Sequence, residues 1–100
     1  MKHKLVRYKV KPGAVLKNRR LVEAVFDALQ AASPKDVGYM VVEVQDGSFV
    51  HLKRDLAEEP FELGELPAFQ AFGRGIIDHC AERLQSSEAR IVGRYGVAAR

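Results

Sequence analysis

An α+β domain of order β-α-β-β-α-β is the architecture this sequence predicts, on three observations. Two stretches, residues 14–32 and 66–84, carry apolar side chains at helical spacing. Alternating or β-branched segments precede, separate and follow them, and Asp46-Gly47 marks a hairpin between the middle two. The chain has 100 residues, of which 47% are hydrophobic and 29% charged, enough for one folded core and one domain spanning residues 1–100.

Residues 4–10 alternate, with Val6, Tyr8 and Val10 on one side and Leu5, Arg7 and Lys9 on the other, the period of a half-buried strand that Pro12-Gly13 stops. From Ala14 to Ala32, Leu21, Val22, Val25, Phe26 and Leu29 form the apolar face of a helix whose other side bears Arg20, Glu23, Asp27 and Gln30. Ser33-Pro34 ends it, because a residue before proline is driven out of the right-handed helical region. Val37–Val44 and Ser48–Lys53 read as a hairpin. A three-residue loop, Gln45-Asp46-Gly47 with the glycine left-handed, gathers Met40, Val42, Val44, Val50 and Leu52 on one face; a two-residue turn would mix the faces. Residues 54–65 form an acidic connection, and Pro67 suits the first turn of a second helix running to Leu84. Its stripe is Phe69, Phe72, Gly73, Ile76, Ile77, Cys80 and Leu84. Gly73 and Gly75 weaken that helix by roughly 1 kcal/mol each relative to alanine, a cost that close packing on a neighbour would explain. Ala89–Val97 reads as the last strand.

Two interleaved strand-helix-strand units give a ferredoxin-like, four-stranded antiparallel sheet with both helices on one face. The sequence assigns Val6, Tyr8, Met40, Val42, Val44, Val50 and Leu52 to the helix side. The bare face then carries Leu5, Tyr39, Val41 and Phe49 beside Arg7, Lys9, Glu43 and His51. So much apolar area does not sit in water, and the expectation is a homodimer closed through that face. Arg90 and Arg94 would lie near Arg7 and Lys9, a like-charge group needing either a carboxylate or phenolate ligand or the acidic loop of a partner subunit, with Glu58 and Glu59, to neutralise it.

Charge and composition exclude several function classes. The net charge is +3, from 16 basic and 13 acidic side chains. Cys80 is the only cysteine, so no disulfide forms within the chain, and its apolar setting is that of a small buried hydrophobe and not of a thiolate nucleophile. Cations interrupt every short apolar stretch of the N-terminus, leaving no signal core or membrane span, and the expected location is cytoplasmic. No second histidine or cysteine lies at a metal-ligand spacing, so no metal site is expected. Nucleic acid is not an expected partner: the strands lack the paired aromatics and flanking glycines on which RNA bases stack.

With the segment LPAFQAF (Leu66–Phe72) opening the second helix, the element order and length resemble the dimeric α+β barrel superfamily, and within it the antibiotic biosynthesis monooxygenase-like proteins. The resemblance implies a dimeric barrel. It includes among its activities cofactor-independent oxidation of polyketide aromatics and heme degradation, and many members have no assigned reaction. Active members commonly use a tryptophan with an asparagine and, in heme degraders, a helix-borne histidine. This chain has no tryptophan; the resemblance assigns the asparagine's place to Asn18 and the histidine's to His79.

Candidate catalytic residues are therefore His79, Asn18 and His51, and candidate ligand contacts are Arg7, Glu43, Phe72 and Ile76. His51 and Glu43, with Arg7, would offer a proton acceptor and an electrophilic group inside a dimer. Each has a plainer role: His79 as a helix-end cation, Asn18 as a polar first-turn residue, and the His51 group as an interfacial polar cluster. Two functions compete. One is a small-molecule-binding dimer that oxidises an aromatic or quinoid ligand without a bound cofactor, in a pocket touched by Asn18, Phe72, Ile76 and His79. The other is a non-catalytic dimerisation module whose cleft is filled by its own side chains. A heme-degrading role with His79 as ligand is a third.

Overall fold

The computed structural model describes residues 2–55 and 62–97. Its elements are β1 (Lys2–Val10), α1 (Val15–Ala32), β2 (Val37–Glu43), β3 (Ser48–Asp55), α2 (Pro67–His79) and β4 (Cys80–Ala89). The strands form one antiparallel sheet in the order β2-β3-β1-β4. This is the ferredoxin-like arrangement the sequence predicts, with the two crossover helices packed on a single face.

Local chemistry explains the boundaries. Pro12 opens a short turn of 3-10 helix before α1, and α1 ends where Ser33 turns left-handed (φ 50°) while its N–H still reaches the Leu29 carbonyl at 2.8 Å. The hairpin loop is the three-residue kind: Val44 N–H bonds the Ser48 carbonyl at 2.8 Å, and Gly47 has φ 88°. Asp46 locks it by accepting the Ser48 N–H at 2.9 Å.

The core joins Val22 and Val25 of α1, Phe72 and Ile76 of α2, and Tyr8, Val10 and Phe49 of the sheet. At Gly75 the helices approach so closely that a β-carbon would lie 2.7 Å from Leu21 Cδ1, whereas Gly73 faces open space. The close-packing reading of the two glycines thus applies to Gly75 alone.

Three expectations are corrected. First, α2 stops at His79, not Leu84, and the last strand is Cys80–Ala89, nine residues before the expected start. Lys11 N–H bonds the His79 carbonyl at 2.7 Å and Cys80 pairs with Val10, so long-range pairing overrides the helical propensity of Ala81-Glu82-Arg83-Leu84. Second, β2 and β3 present the opposite sides. Tyr8 pairs with Phe49, Val6 with His51, and His51 with Val41, so these residues face the helices. Met40 and Val42, 52% and 50% exposed, lie with Leu5, Val50 and Leu52 on the outer side. The hairpin layer is gathered as expected, but it is the bare layer. Third, Arg7 and Lys9 meet Gln85 and Glu82 across β1–β4, not arginines, and Lys4 meets Glu88. Of the expected like-charge group, Lys9 thus has an acid opposite it and Arg7 a neutral amide, and neither Arg90 nor Arg94 stands opposite them in the sheet. Arg90 and Arg94 follow β4, and Glu58 and Glu59 lie outside the described residues.

Candidate active site

Four side chains form a hydrogen-bonded chain across the buried face of the sheet. Asn18, the fourth residue of α1 and fully buried, donates from Nδ2 to Tyr8 Oη at 2.9 Å. Tyr8 Oη lies 2.8 Å from His51 Nε2, and His51 Nδ1 lies 2.6 Å from Tyr39 Oη. The sheet's register puts the last three on one face: β1 supplies Tyr8, β3 supplies His51 and β2 supplies Tyr39. Aromatic neighbours clamp the imidazole, with Phe72 at 5.3 Å and Tyr8 at 5.3 Å between ring centroids. Phe49 stacks on Tyr8 at 5.6 Å. Ring contacts of this kind fix orientation as well as adding attraction.

Burial makes the chain electrically neutral. Loss of water around His51 pushes its pKa down from 6.5 to about 4. The same desolvation raises both Tyr8 and Tyr39 well above the usual phenol range. At neutral pH the site thus holds an uncharged imidazole between two protonated phenols. Burial also raises the Cys80 thiol, which keeps it out of the thiolate form.

A cavity of about 240 Å³ opens beside this chain, between α2 and the sheet. Tyr39 and His51 line it together with Val6, Leu63, Phe69 and Phe72, and Lys4, Lys53 and Glu62 stand at its polar rim. Leu84 of β4 closes a further side. A cleft of about 470 Å³ lies beyond Tyr39, toward the end of α1, and is lined by Phe26, the partner on which the Tyr39 ring stacks at 5.3 Å. Of the hydrogen-bonded chain only Tyr39 reaches that cleft, whereas the smaller cavity touches both Tyr39 and His51. The smaller one is therefore the chemically equipped site.

The predicted residues separate into groups. Phe72 lines the cavity. Ile76 is buried in the core, and Asn18 reaches the cavity only through Tyr8 and His51. His79, the last residue of α2, neither lines the cavity nor joins the chain, and its buried Nδ1 has no hydrogen-bond partner. Of the four residues expected to touch one pocket, Asn18, Phe72, Ile76 and His79, Phe72 alone lines this cavity. His51 is in the cavity wall, but from the helix side of the sheet. Glu43 shares that side yet pairs at the surface with Arg19, at 2.7 and 2.8 Å, which holds its carboxylate below the usual range. Arg7, opposite Val50, projects from the outer face, away from His51. Sequence alternation points to neither Tyr8 nor Tyr39 as a site residue: it places Tyr8 in the core and Tyr39 on the bare side of its strand, whereas the structure puts both on the helix side. Among the described residues, no cluster of histidine, cysteine and carboxylate side chains is placed to hold a metal, and no helix is long and apolar enough to cross a membrane.

No family model matches the sequence, and no curated protein matches it. Solved structures do. An antibiotic biosynthesis monooxygenase superimposes with a TM-score of 0.73 at 14% identity, covering 93% of this chain and 100% of its own. A proposed antibiotic biosynthesis monooxygenase from Nitrosomonas europaea gives 0.75 at 12% identity, covering 93% and 100%. A second Nitrosomonas europaea protein, of unknown function, gives 0.71 at 12% identity, covering 98% and 96%. At such identities the likeness speaks for the fold. The chain has the fold of the antibiotic biosynthesis monooxygenase-like proteins.

Proposed function

We propose that this protein binds a small aromatic or quinoid molecule in the cavity between α2 and the sheet and oxidises it with molecular oxygen, without a bound cofactor. The observation that carries this reading is the cavity itself. Phe69, Phe72 and Leu63 offer apolar walls to a flat ring, and the neutral Tyr39–His51 pair offers it a polar anchor. Such an oxidation uses the ligand's own electrons. The phenol gives up its O–H proton, the phenolate ring gives an electron pair to oxygen and one C–O bond forms. The second oxygen atom leaves as water, whose two hydrogens are that proton and the hydrogen of the attacked carbon; the ring is left as a quinone. Tyr39 is the group proposed to hold the ring oxygen during that step, with His51, Tyr8 and Asn18 positioning its hydroxyl.

The test is titration with 1-naphthol, followed by its fluorescence, with oxygen uptake read on an electrode. Saturable binding is expected in the wild type and should be lost in Phe69→Trp, which fills the cavity. Absence of binding to the wild type would end the reading. Binding without oxygen uptake would leave a ligand-binding protein and remove the oxidation.

The proposal includes two copies joined through their outer faces. Met40 and Val42 expose half their surface on a layer with Leu5, Val50 and Leu52, a patch suited to self-burial about a twofold axis. Val42→Ser, acting in both subunits, should weaken the dimer roughly tenfold in sedimentation equilibrium. A stable wild-type monomer at micromolar concentration would refute the dimer.

A further inference from the structure

Hydrogen-bond accounting gives the buried chain a direction. Tyr8 Oη accepts the amide proton of Asn18, and the acceptor it meets for its own proton is His51 Nε2. A neutral imidazole that accepts at Nε2 must carry its proton at Nδ1. That proton goes to Tyr39 Oη, 2.6 Å away. Tyr39 is then the last member of the chain. It accepts from the ring, and its own proton has no acceptor among the described residues, while its side chain and His51 both line the cavity. With the amide as it stands, the opposite direction leaves the Tyr8 proton without an acceptor in the core, where Tyr8 is 2% exposed, instead of the Tyr39 proton at the cavity. With the Asn18 carbonyl turned toward Tyr8 it leaves both amide hydrogens unpaired, where the present arrangement leaves one of them and the carbonyl oxygen, and a buried N–H without a partner is the rarer and costlier orphan.

We propose that Tyr39 is the ligand-recognition residue of this cavity, donating a hydrogen bond from its phenolic hydroxyl to an acceptor oxygen of the ligand, a ring carbonyl or a phenolate. The assignment rests on the cavity being a ligand site, and it narrows the ligand. Molecules presenting only a donor, or only hydrocarbon, to this point leave the Tyr39 proton unpaired in a place from which water has been removed, and are discriminated against. Asn18, Tyr8 and His51 act through Tyr39 as positioning residues: each fixes the proton of the next, so that the hydroxyl at the end of the chain points one way before any ligand arrives.

Two measurements on the full-length protein test this. The first needs no ligand. Long-range proton–nitrogen-15 NMR of the His51 ring at neutral pH should show Nδ1 protonated and Nε2 bare, and the reverse tautomer would overturn the direction of the chain and the assignment with it. The second is calorimetric titration with 1-tetralone and with tetralin, one bicyclic skeleton with and without a carbonyl. The wild type should bind the ketone roughly tenfold more tightly, about what one net hydrogen bond contributes. Tyr39→Phe keeps the ring, so it should bring the ketone to the affinity of the hydrocarbon while leaving the latter within about twofold. Equal affinities in the wild type, or a ketone preference that survives Tyr39→Phe, would overturn the assignment and leave the cavity standing as a site. Failure of both probes to bind would instead remove the cavity as a ligand site, and the assignment with it.

Discussion

Tyr8→Phe should lower the free energy of unfolding by about 3 kcal/mol in urea titrations at neutral pH. The substitution removes one oxygen atom and leaves the ring in place, so stacking on Phe49 survives and no cavity of side-chain size is made. The loss is polar. The Tyr8 hydroxyl takes the Asn18 amide proton and serves His51 Nε2, and both partners would remain buried with nothing to bond. Each orphaned group costs about 1–3 kcal/mol, which sets the estimate. Asn18→Leu is the informative comparison. It removes the donor together with its already unpartnered carbonyl oxygen, and should be milder than Tyr8→Phe. In the double variant the two losses should sum to less than the separate effects, since the Asn18–Tyr8 bond would be counted once. A loss below about 0.5 kcal/mol for Tyr8→Phe would mean that water reaches these atoms and that the chain is not sealed.

How much of this was legible in the sequence depends on which physical signal each element carries. The α1 stripe of Val22 and Val25 and the left-handed Gly47 loop are local signals, and both are where the sequence puts them. The side on which β2 and β3 face the helices is not local. Met40, Val42, Val50 and Leu52 are as apolar as Tyr39, Val41 and Phe49, so alternation alone separates the two sets without saying which is inside. What decides is the pairing of Tyr8 with Phe49 and of Val6 with His51, a long-range register. The error on β4 has the same origin. Cys80 and Leu84 lie at helical spacing from Ile76, and only the edge of β1 makes them a strand. The candidate site inherits the error in facing. The sequence marks His51 but aims it outward beside Glu43 and Arg7, and nothing in its pattern joins the two tyrosines that bind the His51 nitrogens. Polar atoms meeting in the interior from three strands and a helix leave no spacing rule in the sequence. The bare outer layer survives the exchange of faces, because either set of side chains is apolar.

The second large effect is in the pH dependence of stability. In the unfolded chain His51 takes up its proton near pH 6.5; in the folded protein burial delays this to about 4. Between those values the unfolded state binds more protons, so acid favours unfolding there. The contribution of His51 is fully present above pH 6.5, declines as the pH falls, and is exhausted below about 4. The distance between the two values corresponds to about 3 kcal/mol. Neither neighbouring phenol titrates in that window, since burial raises both. The charged side chains nearest His51, namely Lys4, Lys53 and Glu62, stand at the cavity rim in both proteins compared. The measurement is therefore a difference: urea unfolding of the wild type and of His51→Gln at pH 7, 5.5 and 4. Glutamine keeps a donor and an acceptor in the chain but has no proton to gain. The wild type should lose about 3 kcal/mol more than the variant over that range, and parallel curves would mean that His51 is hydrated and charges as readily folded as unfolded. Protonation of Nε2 would also remove the acceptor for the Tyr8 hydroxyl. The same acidification that weakens the fold would thus break the chain of polarised hydroxyls, and affinity for a carbonyl probe should fall with it.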